Sequence, residues 1–144
     1  MFGQAHWFKP PAVGDHYYPA GFSSRVFVFG SSYVPPRSAN VAVRLTGLMR
    51  GGNLSEHVME DIALGVDNRP VTVARANSEF VLTLASNSGL LGGNFLHPIT
   101  RRATPFKGVV LQKQDWASGY FPGTNQSGMV FLRAQADSSA TRWQ

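Results

Sequence analysis

Apolar side chains recur at every second position in several segments of this chain, and this alternation is the feature that most restricts its fold. Valines and leucines occupy one face of residues 40–49, and Phe80, Leu82 and Leu84 share a face of residues 79–85. A period of two is the spacing of side chains on one side of a β-strand. The strands predicted in this way are residues 24–30, 40–49, 71–76, 79–85, 109–113 and 129–136.

Residues 54–66 fit two interpretations. The segment 53–56 resembles a helix-capping box, and Val58, Met59 and Ile62 could share one helical face. The same stretch also fits a strand that ends at the turn 67–70, and we favour the strand. With it, the sequence predicts an all-β protein: an antiparallel β-sandwich or barrel of about seven strands. Glycine and proline clusters predict loops at 89–93, 98–105 and 114–127, and a hairpin turn at 77–78.

The first 22 residues show no strand or helix period, and prolines interrupt them at positions 10, 11 and 19. Residues 1–33 nevertheless hold nine of the seventeen aromatic residues of the chain. Each ring has about 150–250 Å² of surface to bury. We therefore predict three regions: an extended aromatic arm (1–22) that lies on its own domain or on a neighbour, a β-domain (23–136) and a C-terminal tail (137–144).

Size and cysteine content limit the other classes of protein. A chain of 144 residues forms one domain with a proper core, and the absence of cysteine excludes disulfides, thiolate metal sites and a cysteine nucleophile. The N-terminus lacks the pattern of a signal peptide, and the apolar runs are far shorter than the ~18 residues of a membrane helix. We expect a soluble protein made in the cytoplasm, with no membrane contact.

The charge pattern favours contacts with protein. The net charge of +5 arises from ten Arg and only three Lys, with three Glu among the eight acids. The arginines are dispersed, whereas a nucleic-acid binder concentrates its basic residues on one face, so nucleic acid is an unlikely partner. Lys and Glu are depleted at interfaces and Arg is enriched there. The alternative is the neutral surface of a loop-rich β protein.

No motif indicates catalysis, a metal or a cofactor. His57, Glu60 and Asp61 lie close in sequence but lack further ligands, and a solvated polar stretch explains them better. Asp15 and His16 are adjacent, and neighbouring residues rarely act as base and orienting group. Nucleophile and phosphate-loop motifs are absent.

A pair of strand-end acids, such as Glu79 and Asp115, could still meet in space for glycoside hydrolysis. With only eight acids in the chain, we nevertheless expect a protein that is not an enzyme.

The stretch 115–126 has the composition of a binding loop. Trp116, Tyr120, Phe121 and Asn125 could stack on and hydrogen-bond a sugar, which makes a glycan a candidate ligand. Basic residues nearby would instead suit phosphates together with aromatic stacking. The third interpretation, which we favour, is that these rings close one end of the domain or pack on a neighbouring subunit.

The layout as a whole resembles the small virion structural proteins of tailed bacteriophages, of the capsid decoration or cement type. The shared features are the length, the β-domain, the aromatic arm, a tail that carries Trp143, the lack of cysteine and a Ser-, Asn-, Gly- and Arg-rich surface. The resemblance implies a homo-oligomer, with a trimer favoured, that braces major capsid or other virion proteins and is located in the virion. The residues expected at inter-subunit contacts are Phe2, Trp7, Phe8, Tyr17, Tyr18 and Trp143.

Two other functions fit many of the same features. One is a tail-tube, tail-terminator or small coat subunit of the same kind of particle. The other is a carbohydrate- or receptor-binding β-sandwich that uses residues 115–126.

Overall fold

The computed structural model describes residues 1–35, 43–64, 70–71 and 80–135. In this part of the chain the regular structure is almost entirely β. The strands are β1 (Phe2–Lys9), β2 (Phe22–Phe29), β3 (Val43–Gly51), β4 (Val58–Leu64), β5 (Pro70–Val71), β6 (Val81–Ala85), β7 (Leu90–Leu96), β8 (Ala103–Leu111), β9 (Trp116–Pro122) and β10 (Ser127–Ala134). One turn of 3-10 helix, Gln112–Gln114, joins β8 to β9.

The strands form two antiparallel sheets. β1 pairs only with β2, and the other strands form one sheet in the order β5-β4-β3-β10-β9-β8-β7-β6. This larger sheet curls, so that the short strand β5 at one edge approaches β6 at the other. The prediction of an all-β, antiparallel fold is confirmed, with seven long strands in the curled sheet.

The core lies inside the curl, where the alternating apolar residues of all seven long strands meet. Met49, Leu132 and Phe121 are wholly buried. The Phe95 and Phe121 rings meet edge to face with centroids 4.9 Å apart, and Phe80 stacks on Phe106 at 5.4 Å. The period of two in the sequence therefore identifies the side chains that enter this core.

Three predicted loops contain strand residues, and here the prediction was wrong. β7 runs through residues 90–96, β8 begins at Ala103, and β9 occupies most of the stretch 114–127. Two of their glycines permit close packing instead of marking turns: a Cβ at Gly93 would overlap the carbonyl of Val81, and one at Gly119 would overlap the carbonyl of Lys107.

The ambiguous segment 54–66 forms strand β4 over Val58–Leu64, which confirms the strand interpretation. The predicted strand 79–85 appears as β6, and it pairs with β7. Most of the predicted strand 71–76 and the turn at 77–78 lie outside the described residues, as does the tail with Trp143.

The structure does not confirm an irregular arm at the N-terminus. Residues 2–9 form β1, in register with β2 from Phe2 opposite Phe29 to Lys9 opposite Phe22. Only the connection 10–21, which holds the prolines, lacks regular structure. The strand period is hidden because apolar side chains occupy both faces of β1: Phe2 and Phe8 lie on one face and Trp7 lies on the other.

Candidate assembly surface

The two strands β1 and β2 and their connection, together called the N-terminal hairpin, are attached to the curled sheet at two places. At the base, the side-chain amide of Gln112 forms two hydrogen bonds with Val34: its Nε2 donates to the carbonyl at 2.8 Å, and its Oε1 accepts from the amide at 2.7 Å. The amide of Lys113 donates to Ser31 Oγ at 3.1 Å. These bonds fix the chain where it leaves β2.

Tyr33 strengthens the same end. Its hydroxyl donates to the carbonyl of Ser86 at 2.9 Å, and its ring lies over Gly89, where a Cβ would overlap it. Burial raises the pKa of the Tyr33 hydroxyl above its usual value, because the charged phenolate would lose hydration.

At the far end, the connection 10–21 binds the turn between β9 and β10. The amide of Ser127 donates to the Tyr18 hydroxyl at 2.8 Å, and the Tyr18 amide donates to the carbonyl of Asn125 at 3.0 Å. The Tyr17 hydroxyl donates to the carbonyl of Gly123 at 3.2 Å. The hairpin is therefore held at both ends and lies along the outer face of β8, β9 and β10.

The contact between hairpin and sheet is aromatic. Phe29 meets Trp116 edge to face at 6.0 Å, and Trp116 meets Phe131 at 5.4 Å. Beside these rings an open groove of about 470 Å³ remains between the two layers. Its lining consists mainly of apolar side chains: Phe27, Phe29, Val109, Leu111, Trp116, Ser118, Gly119, Met129 and Phe131.

The rings of the hairpin remain largely exposed to solvent. The exposed fractions are 66% for Phe2, 61% for Trp7, 63% for Phe8, 60% for Phe27 and 45% for Phe29. Phe2 stacks on Phe27 at 5.9 Å and meets Phe29 at 5.4 Å, so these three rings form one patch. Contiguous apolar patches of this kind mark interaction surfaces in soluble proteins.

A second shallow groove, of about 580 Å³, lies further along the same outer face and includes Leu48, Leu54 and Met59. Strand register connects the two grooves, because Phe131 lies opposite Leu48 and Leu48 lies opposite Met59. The candidate assembly surface is thus the exposed hairpin together with this apolar row on the sheet.

The structure places the predicted contact residues in two groups. Phe2, Trp7 and Phe8 lie on β1 with exposed rings. Tyr17 and Tyr18 instead anchor the hairpin to its own domain, and Tyr18 also packs edge to face on Phe22 at 5.0 Å. Two rings of the patch, Phe27 and Phe29, were not among the predicted contacts, although their alternation with the valines of β2 was visible in the sequence.

The structure separates the residues predicted as a ligand loop in 115–126. Phe121 is wholly buried in the core, whereas Trp116 packs between Phe29 and Phe131. Tyr120 is exposed on the opposite face of β9 from Phe121. The side chain of Asn125 accepts a hydrogen bond from Asn53 Nδ2 at 2.8 Å. These four side chains do not form one concave site.

The residues considered above as catalytic or metal-binding groups make other contacts or point apart. Asp15 forms a salt bridge with Lys9 at 2.7 Å, and His16 packs against Tyr17. Glu60 and Asp61 are adjacent in β4 and point to opposite faces of the sheet. Among the described residues, no group of three His, Asp or Glu side chains could hold a metal ion.

One buried polar residue was not predicted from the sequence. His97 is almost fully buried, and its Nδ1 accepts hydrogen bonds from the amides of Ile99 and Thr100, both at 3.2 Å. The ring thereby closes the turn between β7 and β8, which is a structural role. A single histidine in a turn-forming segment gives no signal that would distinguish it beforehand.

Within the described ranges, none of the helical structure is long and apolar enough to cross a membrane. Comparison with known proteins gives no significant match to a family model, a curated protein or a solved structure.

Proposed function

We propose that this protein is a non-enzymatic structural subunit of a larger assembly and attaches to neighbouring subunits through the N-terminal hairpin. The observation that carries the proposal is the position of the aromatic rings. Phe2, Trp7 and Phe8 are held on a hairpin that is fixed at both ends, yet their rings face solvent. Aromatic residues are enriched at protein interfaces, and Trp and Tyr are over-represented among the few residues that carry most of the binding energy.

The attachment of the hairpin supports this role. A flexible arm would lose conformational entropy when it bound a neighbour, whereas a pre-organised hairpin loses little. The two ends are fixed by hydrogen bonds of Gln112 and Tyr18, which lie outside the exposed patch. The rings are therefore presented in a defined arrangement before any partner binds.

The assembly we propose is a virus particle, and specifically the capsid surface of a tailed phage, with the major capsid protein as a partner. The support is the resemblance in layout to decoration and cement proteins, together with the scarcity of Lys and Glu. A tail-tube, tail-terminator or small coat subunit would use the same surface.

The test uses particles from the source that encodes this chain. Antibodies raised against the purified protein should label these particles, and the protein should co-sediment with them through a density gradient. Particles stripped of the protein should regain the wild-type chain but bind the Trp7→Ala/Phe8→Ala variant at least tenfold less. Ile99→Ala is the matched control, because Ile99 is equally exposed and lies outside the hairpin, between β7 and β8. Absence of the protein from purified particles would refute the proposal.

A further inference from the structure

We infer that the free edge of β1 pairs with β1 of a second copy, antiparallel across a two-fold axis, to give one four-stranded sheet. This inference rests on the proposed function and specifies one of its contacts. The strand order in that sheet would be β2-β1 of one copy followed by β1-β2 of the other.

The backbone of β1 has hydrogen-bonding groups available for such pairing. The N-terminal amine of Met1 donates to the carbonyl of Gly30 at 2.8 Å, and the amide of Gly30 donates back to Met1 at 2.9 Å. Hydrogen-bonded and non-hydrogen-bonded pairs alternate along an antiparallel ladder. Gly3, Ala5 and Trp7 therefore bond to β2.

The alternate residues direct their amide and carbonyl groups away from β2, toward the free edge. These residues are Phe2, Gln4, His6 and Phe8. In the part of the chain that the structure describes, no other strand pairs with β1.

The free edge of β1 lacks the features that keep edge strands apart. Residues 2–8 contain no Lys, Arg, Asp, Glu or Pro, and the first charged side chain is that of Lys9 at the end of the strand. Soluble proteins normally protect exposed edges with charges, prolines or bulges. The outer edge of β2, by contrast, carries Arg25 at its centre. The edge open to a partner is therefore that of β1.

The sequence of β1 is complementary to itself when a two-fold axis passes through Ala5. Phe2 then lies opposite Phe8 of the second copy, and Gln4 lies opposite His6. These are the residues that direct backbone groups outward, so each pair exchanges two hydrogen bonds.

On the other face of the strand, Trp7 lies opposite Gly3 of the second copy, so a large ring covers a position without a side chain. A Cβ placed on Gly3 would have no atom within 4 Å in the isolated chain, which shows that this space is open. An axis through any other residue from Gly3 to Trp7 would leave Phe2 or Phe8 outside the ladder. The pattern thus selects both the partner, a second copy, and the register.

The area available is that of a weak, self-associating interface. Phe2, Trp7 and Phe8 together expose on the order of 400 Å² of ring per copy. A standard interface buries about 800 Å² per partner, and the backbone and the side chains of Gln4 and His6 supply part of the rest. We expect a reversible dimer in solution, strengthened on a particle where many copies are held close together.

The experiment uses cysteine scanning, since the chain contains no native cysteine. Ala5→Cys in the full chain should form a disulfide-linked dimer under mild oxidation, because the axis places the two cysteines opposite each other in a non-hydrogen-bonded pair. Gln4→Cys and Ser24→Cys, both exposed, are the matched controls and should cross-link at least tenfold more slowly. Faster cross-linking of Gln4→Cys would overturn the proposed register, and faster cross-linking of Ser24→Cys would overturn the choice of the β1 edge.

A second variant tests the backbone pairing. Gln4→Pro removes an outward-facing amide and leaves the bonds to β2 in place, so it should weaken dimerisation at least tenfold in analytical ultracentrifugation with an unchanged circular dichroism spectrum. A wild-type chain that stays monomeric or forms only trimers, with no Ala5→Cys dimer, would refute the pairing. The proposed function would stand if the Trp7→Ala/Phe8→Ala variant still failed to bind particles. Conversely, a cross-linked dimer absent from particles would refute only the proposed function.

Discussion

The two sheets of this protein treat the same kind of side chain in opposite ways. In the curled sheet Phe95, Phe106 and Phe121 are almost completely buried. In the hairpin Phe2 and Phe8 keep about two thirds of their surface exposed, and none of residues 1–35 is buried. The curled sheet therefore buries its own aromatic rings, whereas the described chain leaves much of the apolar surface of the hairpin exposed.

The difference has a geometric origin. A sheet of seven long strands can curl until its inner face closes on itself, as β5 and β6 show. A two-stranded ribbon has only two narrow faces and two free edges, and isolated hairpins of this size are marginally stable. The hairpin persists because polar groups at its two ends bind the curled sheet and Phe29 packs on Trp116 between them.

The largest effect should follow from truncating a core ring. Phe121→Ala should lower the free energy of unfolding by about 3–5 kcal/mol, because it leaves a cavity against Gly52 and Gly128. Phe8→Ala, the matched change on the hairpin, should alter it by less than about 0.5 kcal/mol. Urea denaturation measures both. Equal decreases in the free energy of unfolding would mean that the Phe8 ring contributes to folding as much as the Phe121 ring does. That result would contradict the difference between the two sheets.

A smaller effect should follow from loosening the hairpin at one end. Tyr18→Phe removes the hydroxyl that binds Ser127, which should cost about 1 kcal/mol locally and speed amide exchange in β1 and β2 roughly fivefold. Hydrogen-exchange mass spectrometry resolves the two sheets, and the curled sheet should be unchanged. Tyr120→Phe is the control, since Tyr120 is an exposed tyrosine on β9 in the curled sheet. Equal exchange in the two variants would show that the Tyr18 hydroxyl does not anchor the hairpin.

The smallest effect concerns alkaline pH at the base of the hairpin. The folded-state pKa of Tyr33 is raised by burial, so the fold favours the neutral phenol. This contribution to the free energy of unfolding is fully present below the pKa of tyrosine in the unfolded state, about 10. It is lost as the pH rises through the folded-state pKa. The free energy of unfolding should therefore fall more steeply above about pH 10 in the wild type than in Tyr33→Phe. Identical slopes of the free energy of unfolding against pH in the two proteins would contradict a raised pKa of Tyr33.

Several strands could be predicted from sequence because their inward residues are apolar and their outward residues are polar. Strand β3 shows this pattern, with Leu45 and Met49 buried and Arg44 and Arg50 exposed. Strand β4 could be distinguished from a helix only weakly, since Val58 and Ile62 fit both periods and Met59 fits only the helical one.

The glycine-bearing strands were missed for a specific reason. Gly93 and Gly119 occupy positions where a neighbouring backbone or ring fills the space of a side chain, yet glycine in a sequence looks the same in a strand as in a turn. Likewise β1 was missed because both of its faces carry rings. No local pattern relates Tyr18 to Ser127 or Val34 to Gln112, which lie far apart in sequence.

The attachment of the hairpin at its two ends has an evolutionary consequence. The bonds that hold it involve Val34, Gln112, Tyr18 and Ser127, and none of them uses a side chain of residues 2–8. Mutations in that segment therefore leave the hydrogen bonds between the hairpin and the curled sheet in place. On the proposed function, contacts with neighbours could therefore diverge in residues 2–8 while the curled sheet stays constant.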